Sequence, residues 1–210
     1  METIVYVIRH GQTASNVAGR YMGWSIDEDL DNKGRLEAER LAERLSAKPI
    51  AVVYSSPLRR ALSTAKLLAA AHSLDVQVMQ DLGEMHLGVW EGMHVRDVRA
   101  GFPELWRQWM NDPTGIQMPG GERLDEVQVR AVAALNAIIR ENLGRQAALV
   151  THQVVVRLLV AHCLGVSASI YRRIEVSNAS ITTIREMDGR LKLGSVNDVA
   201  HLESASLSSD

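Results

Sequence analysis

The 210-residue sequence contains a single cysteine, Cys163, so no disulfide can form within the chain. Cys163 lies in the apolar run VVVRLLVAHCLG, which favours a buried small side chain over a nucleophile. No segment approaches the ~20 consecutive apolar residues of a membrane-spanning helix. The first residues also lack the basic region and long apolar stretch of a signal peptide. These absences predict a cytoplasmic protein with no membrane partner.

Neither sign of charge is in clear excess. Lys and Arg total 23, Asp and Glu total 25, and the formal net charge is -2. Without a basic surplus we expect no nucleic-acid partner, and any anion site must be local. No Pro-, Gly- or Ser-rich stretch divides the chain before its end. We therefore expect one domain over residues 1–202 and a disordered tail over 203–210.

Short apolar runs alternate with helical patterns along most of the chain. TIVYVI, IAVVYSS and AALVTH read as buried strands, and a stripe of apolar residues at helical spacing follows each of them. Asp31 or Asn32 would cap the first long helix, and Pro57 would open the second. The Asp188-Gly189 pair between two alternating runs predicts a hairpin. Repeated strand-helix units indicate an α/β fold with a parallel sheet.

The segment of about 84–120 is rich in Gly, Trp and charge and keeps no long helical period. We interpret it as a small inserted cap. Its histidines, His86 and His94, are either substrate contacts or exposed loop residues. Its tryptophans favour an apolar core within the cap over an aromatic platform for a substrate. These tryptophans are Trp90, Trp106 and Trp109.

A reactive or cationic side chain follows each of the three strands. Arg9 and His10 come after the first strand, Arg60 after the second and His152 after the third. Because the carboxyl ends of parallel strands share one edge of the sheet, these residues are expected to meet there. Helix N-termini at the same edge add backbone N–H groups and a partial positive charge. We therefore expect an anionic ligand there, most naturally a phosphoryl group.

Each of these residues suits a step of phosphoryl transfer. The planar guanidinium groups of Arg9 and Arg60 would each donate two hydrogen bonds to phosphate oxygens. A neutral His10 would attack phosphorus, and His152 would stabilise the charge on the transferring group. Glu84, at the start of the cap, would give a proton to the leaving alkoxide and later take one from water. No metal-binding motif is present, so we expect neither a metal nor another cofactor.

Five segments appear in the order and approximate spacing of one known family. RHGQTASN, SSPLRRALSTA, LGEMHLGVWEG, PGGERLDEVQVR and VTHQVVVRLL resemble the histidine phosphatase superfamily, in its phosphoglycerate-mutase-like branch. The resemblance extends from residue 4 to about 202. It implies a three-layer α/β/α sandwich whose mainly parallel sheet has one antiparallel edge strand.

The resemblance also implies roles for individual residues. His10 matches the phosphorylated nucleophile, Glu84 the acid/base carboxylate and His152 the second histidine of the phosphate pocket. The residues that match the phosphate contacts are Arg9, Asn16 and Arg60. Met22 and Gly23 fall where family members approach the substrate beyond its phosphate.

Two positions depart from the family pattern. Gln153 replaces the common Gly after the second histidine, where its side chain would narrow the pocket or touch the substrate. Gln12 replaces a common Glu near the pocket mouth. Leu87 stands where phosphoserine-hydrolysing members carry a histidine, so that resemblance gives no support for phosphoserine as the substrate.

The resemblance leaves the reaction open between hydrolysis and transfer. The cap is shorter than in phosphoglycerate mutases, which favours hydrolysis of a small phosphate ester, as in small bacterial phosphatases of the phosphoserine, α-ribazole and broad-specificity types. A mutase and a catalytically idle module that binds a phospho-ligand are the alternatives. The family also suggests a homodimer through an exposed edge strand.

Overall fold

The structure, a computed structural model, describes residues 1–203, and six strands of this part form one mixed sheet. The strands are β1 (Thr3–Arg9), β2 (Ile50–Ser55), β3 (Val76–Val78), β4 (Gln146–Thr151), β5 (Ile181–Met187) and β6 (Arg190–Asp198). Their order across the sheet is β3-β2-β4-β1-β5-β6. The first four strands are parallel, β5 is antiparallel to β1, and β6 is antiparallel to β5. The predicted mainly parallel sheet with an antiparallel edge is confirmed, and a hairpin forms that edge.

Helices cover both faces of the sheet. They are α1 (Ala14–Ala18), α2 (Asn32–Leu45), α3 (Arg59–Ala70), α4 (Val95–Gly101), α5 (Pro103–Asn111), α6 (Leu124–Glu141), α7 (Gln153–Cys163) and α8 (Ala200–Glu203). Within residues 1–203, none is both long and apolar enough to cross a membrane. Val5 and Val7 of β1 pack with α6 and α7, whereas Tyr6 and Ile8 pack with α2 and α3. Alternate strand residues thus serve two apolar cores, as in the predicted three-layer sandwich.

The hairpin between β5 and β6 turns at Asp188 and Gly189. Both residues have positive φ angles, 53° and 77°. A two-residue turn of type I′ requires this combination, so the predicted hairpin is confirmed. Strands β3 and β6 are the edges of the sheet, and a homodimer through either edge stays a prediction.

Some boundaries differ from those expected. The helix expected to open at Pro57 begins at Arg59, because Leu58 is extended and its N–H donates to the Ser56 hydroxyl. Asp31, rather than Asn32, caps α2 and accepts a hydrogen bond from the Gly34 N–H at 2.7 Å.

The cap and the end of the chain contain more helix than the sequence pattern indicates. The cap holds α4 and α5, of 7 and 9 residues, which are too short for a clear periodic signal. Glu203, assigned to the disordered tail, ends α8. The other tail residues, 204–210, lie outside the described residues.

Backbone hydrogen bonds continue the sheet by one residue at its carboxyl edge. The His10 N–H donates to the Thr151 carbonyl at 3.0 Å, and the Ser56 N–H donates to the Val150 carbonyl at 2.9 Å. Strand β4 lies between β1 and β2. The residues that follow these three strands therefore lie side by side at the carboxyl edge of the sheet. His10, Ser56 and His152 are therefore brought together by the register of the sheet.

The loop after β1 packs directly on the first turn of α2. A Cβ atom at Gly34 would overlap the Gln12 backbone, and one at Gly11 would overlap the Gly34 carbonyl. The Gln12 carbonyl also accepts a hydrogen bond from the Asp31 N–H at 3.1 Å. The absence of side chains at Gly11 and Gly34 thus fixes the path of the chain directly after His10.

We expect Gly34→Ala to lower the free energy of unfolding by about 1–3 kcal/mol, because the new methyl group meets backbone. Alanine normally stabilises a helix interior over glycine by about 1 kcal/mol, so the sign of the change is diagnostic. Gly101→Ala is the matched control, since a Cβ there meets no atom within 4 Å. Urea unfolding measures both variants. A Gly34→Ala protein as stable as its parent would contradict the close packing.

Candidate active site

His10 follows β1 directly and is buried. Its Nδ1 lies 2.7 Å from the Gly11 carbonyl oxygen. Because a carbonyl oxygen only accepts hydrogen bonds, Nδ1 carries the proton and Nε2 keeps its lone pair. Burial, with the nearby cations Arg60 and Arg9, holds the pKa of His10 well below its usual 6.5. The imidazole is therefore neutral near neutral pH and has a nucleophilic Nε2.

Arg9 and Arg60 place two buried guanidinium groups beside this imidazole. Arg60 donates from Nη1 to the Ile26 carbonyl at 3.0 Å and from Nη2 to the Gly23 carbonyl at 2.8 Å. Arg9 donates from Nη1 to the Val176 carbonyl at 2.7 Å. Burial lowers the pKa of Arg9 to about 10, which still leaves it charged at neutral pH. Backbone carbonyls thus hold both cations in place, and no carboxylate within the described residues forms an ion pair with either.

His152 lies next to His10, with 5.1 Å between the ring centroids. It is fully buried, as Arg60 is. Its Nε2 is 2.7 Å from the Ser56 hydroxyl oxygen. Burial lowers the pKa of His152 well below 6.5, and the charges of Arg60 and Arg9 act in the same direction. His152 is therefore a second neutral imidazole within the cationic cluster.

Three buried nitrogens in this cluster have no hydrogen-bond partner within residues 1–203. They are Arg9 Nε, Arg60 Nε and His152 Nδ1. A buried polar group without a partner costs about 1–3 kcal/mol. Three such groups around one nucleophile form a site that an anion with several acceptor oxygens would stabilise.

Glu84 lines the same cleft from the start of the cap. Its carboxylate is buried and accepts a hydrogen bond from the Met85 N–H at 2.9 Å. Burial raises the pKa of Glu84 above its usual value, although the Met85 N–H, Arg60 and Arg9 act against the shift. A carboxyl group with a raised pKa keeps its proton to higher pH and is suited to act as an acid.

Asn16 also lines the cleft, and its amide is oriented by two donors. Its Oδ1 accepts from the Thr13 N–H at 3.2 Å and from the Asn178 Nδ2 at 3.0 Å. The amide nitrogen of Asn16 is therefore left to donate to a ligand.

The cleft has a volume of about 100 Å³. The predicted substrate-side residues Met22, Gly23, Leu87 and Gln153 all lie in its wall. Sequence reasoning did not identify five further wall residues. They are Arg20, Tyr21, Trp109, Val154 and Tyr171.

The cap tryptophans form an apolar core, as predicted. Trp90 and Trp109 are buried and meet edge to face, with centroids 6.2 Å apart. Trp106 packs on Trp90 at 6.2 Å. Trp109 reaches the cleft as well, so a core position and a place in the cleft wall are not exclusive.

The cap histidines are loop residues rather than parts of the cleft wall. His86 stacks on Trp24, with 4.8 Å between centroids and 17° between the ring planes. His94 donates from Nδ1 to the Ala18 carbonyl at 2.9 Å. Both histidines are half-buried loop residues, and a contact of either with the substrate stays a prediction.

Two residues that support the site were also missed. Ser56 meets His152, and the Asn178 Nδ2 donates both to the His10 carbonyl at 3.1 Å and to Asn16. Ser56 carries a detectable signal, since it follows β2 as His10 follows β1. Asn178 lies in a loop before β5 and carries no comparable signal.

Comparison with known proteins shows the family to which this chain belongs. Residues 5–199 match the histidine phosphatase superfamily (branch 1). Phosphoserine phosphatase 1 of Hydrogenobacter thermophilus is 33% identical over 196 residues, which cover 93% of this chain and 92% of that protein. A protein of Enterobacter sp. (strain 638) named probable phosphoglycerate mutase GpmB is 34% identical over 209 residues, 97% of this chain and 96% of that protein.

A solved structure shares the whole fold. The structure of Bacillus stearothermophilus YhfR superposes with a TM-score of 0.91 at 33% identity, covering 96% of this chain and 100% of that one. The match in sequence and fold extends over almost the entire described chain. The protein is a phosphatase-type enzyme that belongs to branch 1 of the histidine phosphatase superfamily.

Proposed function

We propose that this protein is a metal-independent phosphomonoesterase that hydrolyses a small phosphate ester through a phosphohistidine on His10. The observation that carries the proposal is the set of three unpartnered buried nitrogens, on Arg9, Arg60 and His152, around a neutral imidazole. A phosphoryl group offers acceptor oxygens to all three donors and an electrophilic centre to Nε2.

The first step forms a bond between His10 Nε2 and phosphorus and breaks the bond to the ester oxygen. Glu84 gives its proton to the departing alkoxide, which leaves as a neutral alcohol. In the second step Glu84 takes a proton from water, whose oxygen attacks phosphorus as the bond to Nε2 breaks. Inorganic phosphate leaves, and His10 and a protonated Glu84 are restored.

Arg9, Arg60, Asn16 and His152 hold the phosphoryl oxygens during both steps. For His152 to donate from Nδ1, its Nε2 must accept from the Ser56 hydroxyl. The 2.7 Å separation of these atoms fits that arrangement. Ser56 would thus donate to the tautomer that a neutral His152 needs in order to be a donor itself.

The scarcity of further cations in the cleft wall is our reason for preferring hydrolysis over mutase chemistry. A mutase that acts on a phosphorylated carboxylic acid must hold a second anionic group while the substrate turns. Beyond Arg9 and Arg60, Arg20 is the remaining cation among the described wall residues, so it alone would have to hold that group. A protein that only binds a phospho-ligand would need neither a nucleophile nor an acid. The presence of both beside the phosphate donors therefore disfavours the binding module.

We expect His10→Ala to lower kcat/KM for phosphate esters by at least about 10³-fold, because the nucleophile is lost. The matched control is His94→Ala, which removes a half-buried histidine outside the cleft and should retain activity. The assay follows inorganic phosphate released without added metal. The panel contains phosphoserine, 3-phosphoglycerate, α-ribazole phosphate, sugar phosphates and an aryl phosphate.

The products of the same panel separate the alternatives. Phosphate released in equal amount to the ester consumed supports the phosphatase. Isomerised ester with little free phosphate would make the protein a mutase, and no reaction with any ester would favour the binding module. Full turnover by His10→Ala would remove the phosphohistidine mechanism.

The pH profile of kcat/KM should follow His10 and Glu84. The lowered pKa of His10 places the acid limb below pH 6.5, where protonation blocks the nucleophile. The raised pKa of Glu84 places its limb above pH 4.5, where loss of the proton removes the acid. Activity on an alkyl phosphate is therefore highest between the two pKa values.

Glu84→Gln tests this assignment on the same alkyl phosphate. We expect kcat/KM to fall by about 10²–10⁴-fold and the limb due to Glu84 to disappear. The ionisation of the substrate is common to both proteins, so the difference between the two profiles isolates Glu84. An unchanged profile would exclude Glu84 as the acid.

A further inference from the structure

Arg130, on α6, is bonded to the segment that leads into the cap. Its Nη1 donates to the carbonyls of Asp81 at 2.9 Å and Gly83 at 2.7 Å, and its Nη2 donates to the Glu84 carbonyl at 3.0 Å. Nε and Nη2 also donate to the two carboxylate oxygens of Glu122, each at 2.9 Å. A guanidinium group has five N–H donors, and all five are matched here.

Glu122 holds the other end of the same segment. Its Oε2 accepts from the His86 N–H at 2.8 Å, and its own N–H donates to the His86 carbonyl at 2.8 Å. The ion pair with Arg130 is mostly buried, with side-chain exposures of 17% and 21%. Together the two side chains fix the backbone from residue 81 to residue 86.

The segment that Arg130 and Glu122 hold contains Glu84, whose side chain makes few hydrogen bonds. Within residues 1–203, the Glu84 carboxylate accepts a single hydrogen bond, from the adjacent Met85 N–H. Its position in the cleft therefore depends on the backbone of residues 83–85. A general acid must lie within hydrogen-bond reach of the atom it protonates, so a small shift of this backbone would remove its effect.

We propose that Arg130, anchored by Glu122, is a positioning residue that holds Glu84 against the ester oxygen of the substrate. Arg130 is not a wall residue of the cleft and acts through the carbonyls of residues 81, 83 and 84. The inference rests on the proposed acid role of Glu84 and adds the part of the chain that makes the role possible.

The dependence of kcat/KM on the leaving group distinguishes a misplaced acid from a general loss of structure. An alkyl phosphate needs a proton on its leaving oxygen, whereas 4-nitrophenyl phosphate releases a stable anion without one. We expect Arg130→Met to lower kcat/KM on butyl phosphate at least about tenfold more than on 4-nitrophenyl phosphate. The parameter kcat/KM reports the steps through release of the alcohol, so hydrolysis of the phosphoenzyme does not mask the effect.

Three further variants complete the test. Arg140→Met makes the same change at an exposed position of the same helix and should alter neither rate. Arg130→Lys keeps the charge but not the five-donor fork, and Glu122→Gln weakens the anchor. Both should show a smaller selective loss, and they replace Arg130→Met if that variant fails to fold.

The double variant Arg130→Met with Glu84→Gln should be no more selective than Glu84→Gln alone, because both act on one proton transfer. Equal losses on the two esters in the Arg130 and Glu122 variants, with Glu84→Gln selective, would overturn the positioning role and leave the proposed function standing. A Glu84→Gln protein without selectivity would instead overturn the acid role of Glu84 and this inference with it.

Discussion

Burial, together with the guanidinium groups of Arg9 and Arg60, sets the proton affinities of the groups in the site. With burial, their charges hold both His10 and His152 in the neutral form. The same charges act against the rise in the pKa of Glu84 without reversing it. The two shifts have opposite directions: the site lowers the proton affinity of His10 and raises that of Glu84. In water an imidazole holds its proton more tightly than a carboxylate does.

The surrounding backbone makes this arrangement possible. Carbonyl groups of Gly23, Ile26 and Val176 satisfy part of each guanidinium without neutralising its charge. The loop of residues 23–26, whose carbonyls bind Arg60, is also bonded to the cap. The Glu91 carboxylate accepts hydrogen bonds from the Trp24 and Ser25 N–H groups of this loop and from the Leu87 N–H group of the cap. The cationic cluster and the cap are thereby joined through short hydrogen bonds to backbone, which favours a preorganised site.

Much of the fold and the central site could be predicted from the sequence. Apolar strands followed by helical stripes indicate an α/β fold with a parallel sheet, and the family resemblance implies the sandwich. Residues that follow parallel strands must meet, which located Arg9, His10, Arg60 and His152. The supporting contacts could not be predicted in this way. Asn178 acts from a loop, and Arg130 acts on carbonyl groups 46 to 49 residues away in sequence. Such contacts leave no periodic pattern and depend on how loops pack.

The most direct test of the central claim is to identify the atom that receives the phosphoryl group. Wild-type protein is mixed with an activated aryl phosphate, quenched at alkaline pH and digested, and the peptides are analysed by mass spectrometry. The account predicts one added phosphoryl group per chain, on the peptide containing His10, in an acid-labile linkage that is lost in His10→Ala. Turnover with a phosphoryl group on another residue, or with none bound to the protein at any time of quenching, would contradict it.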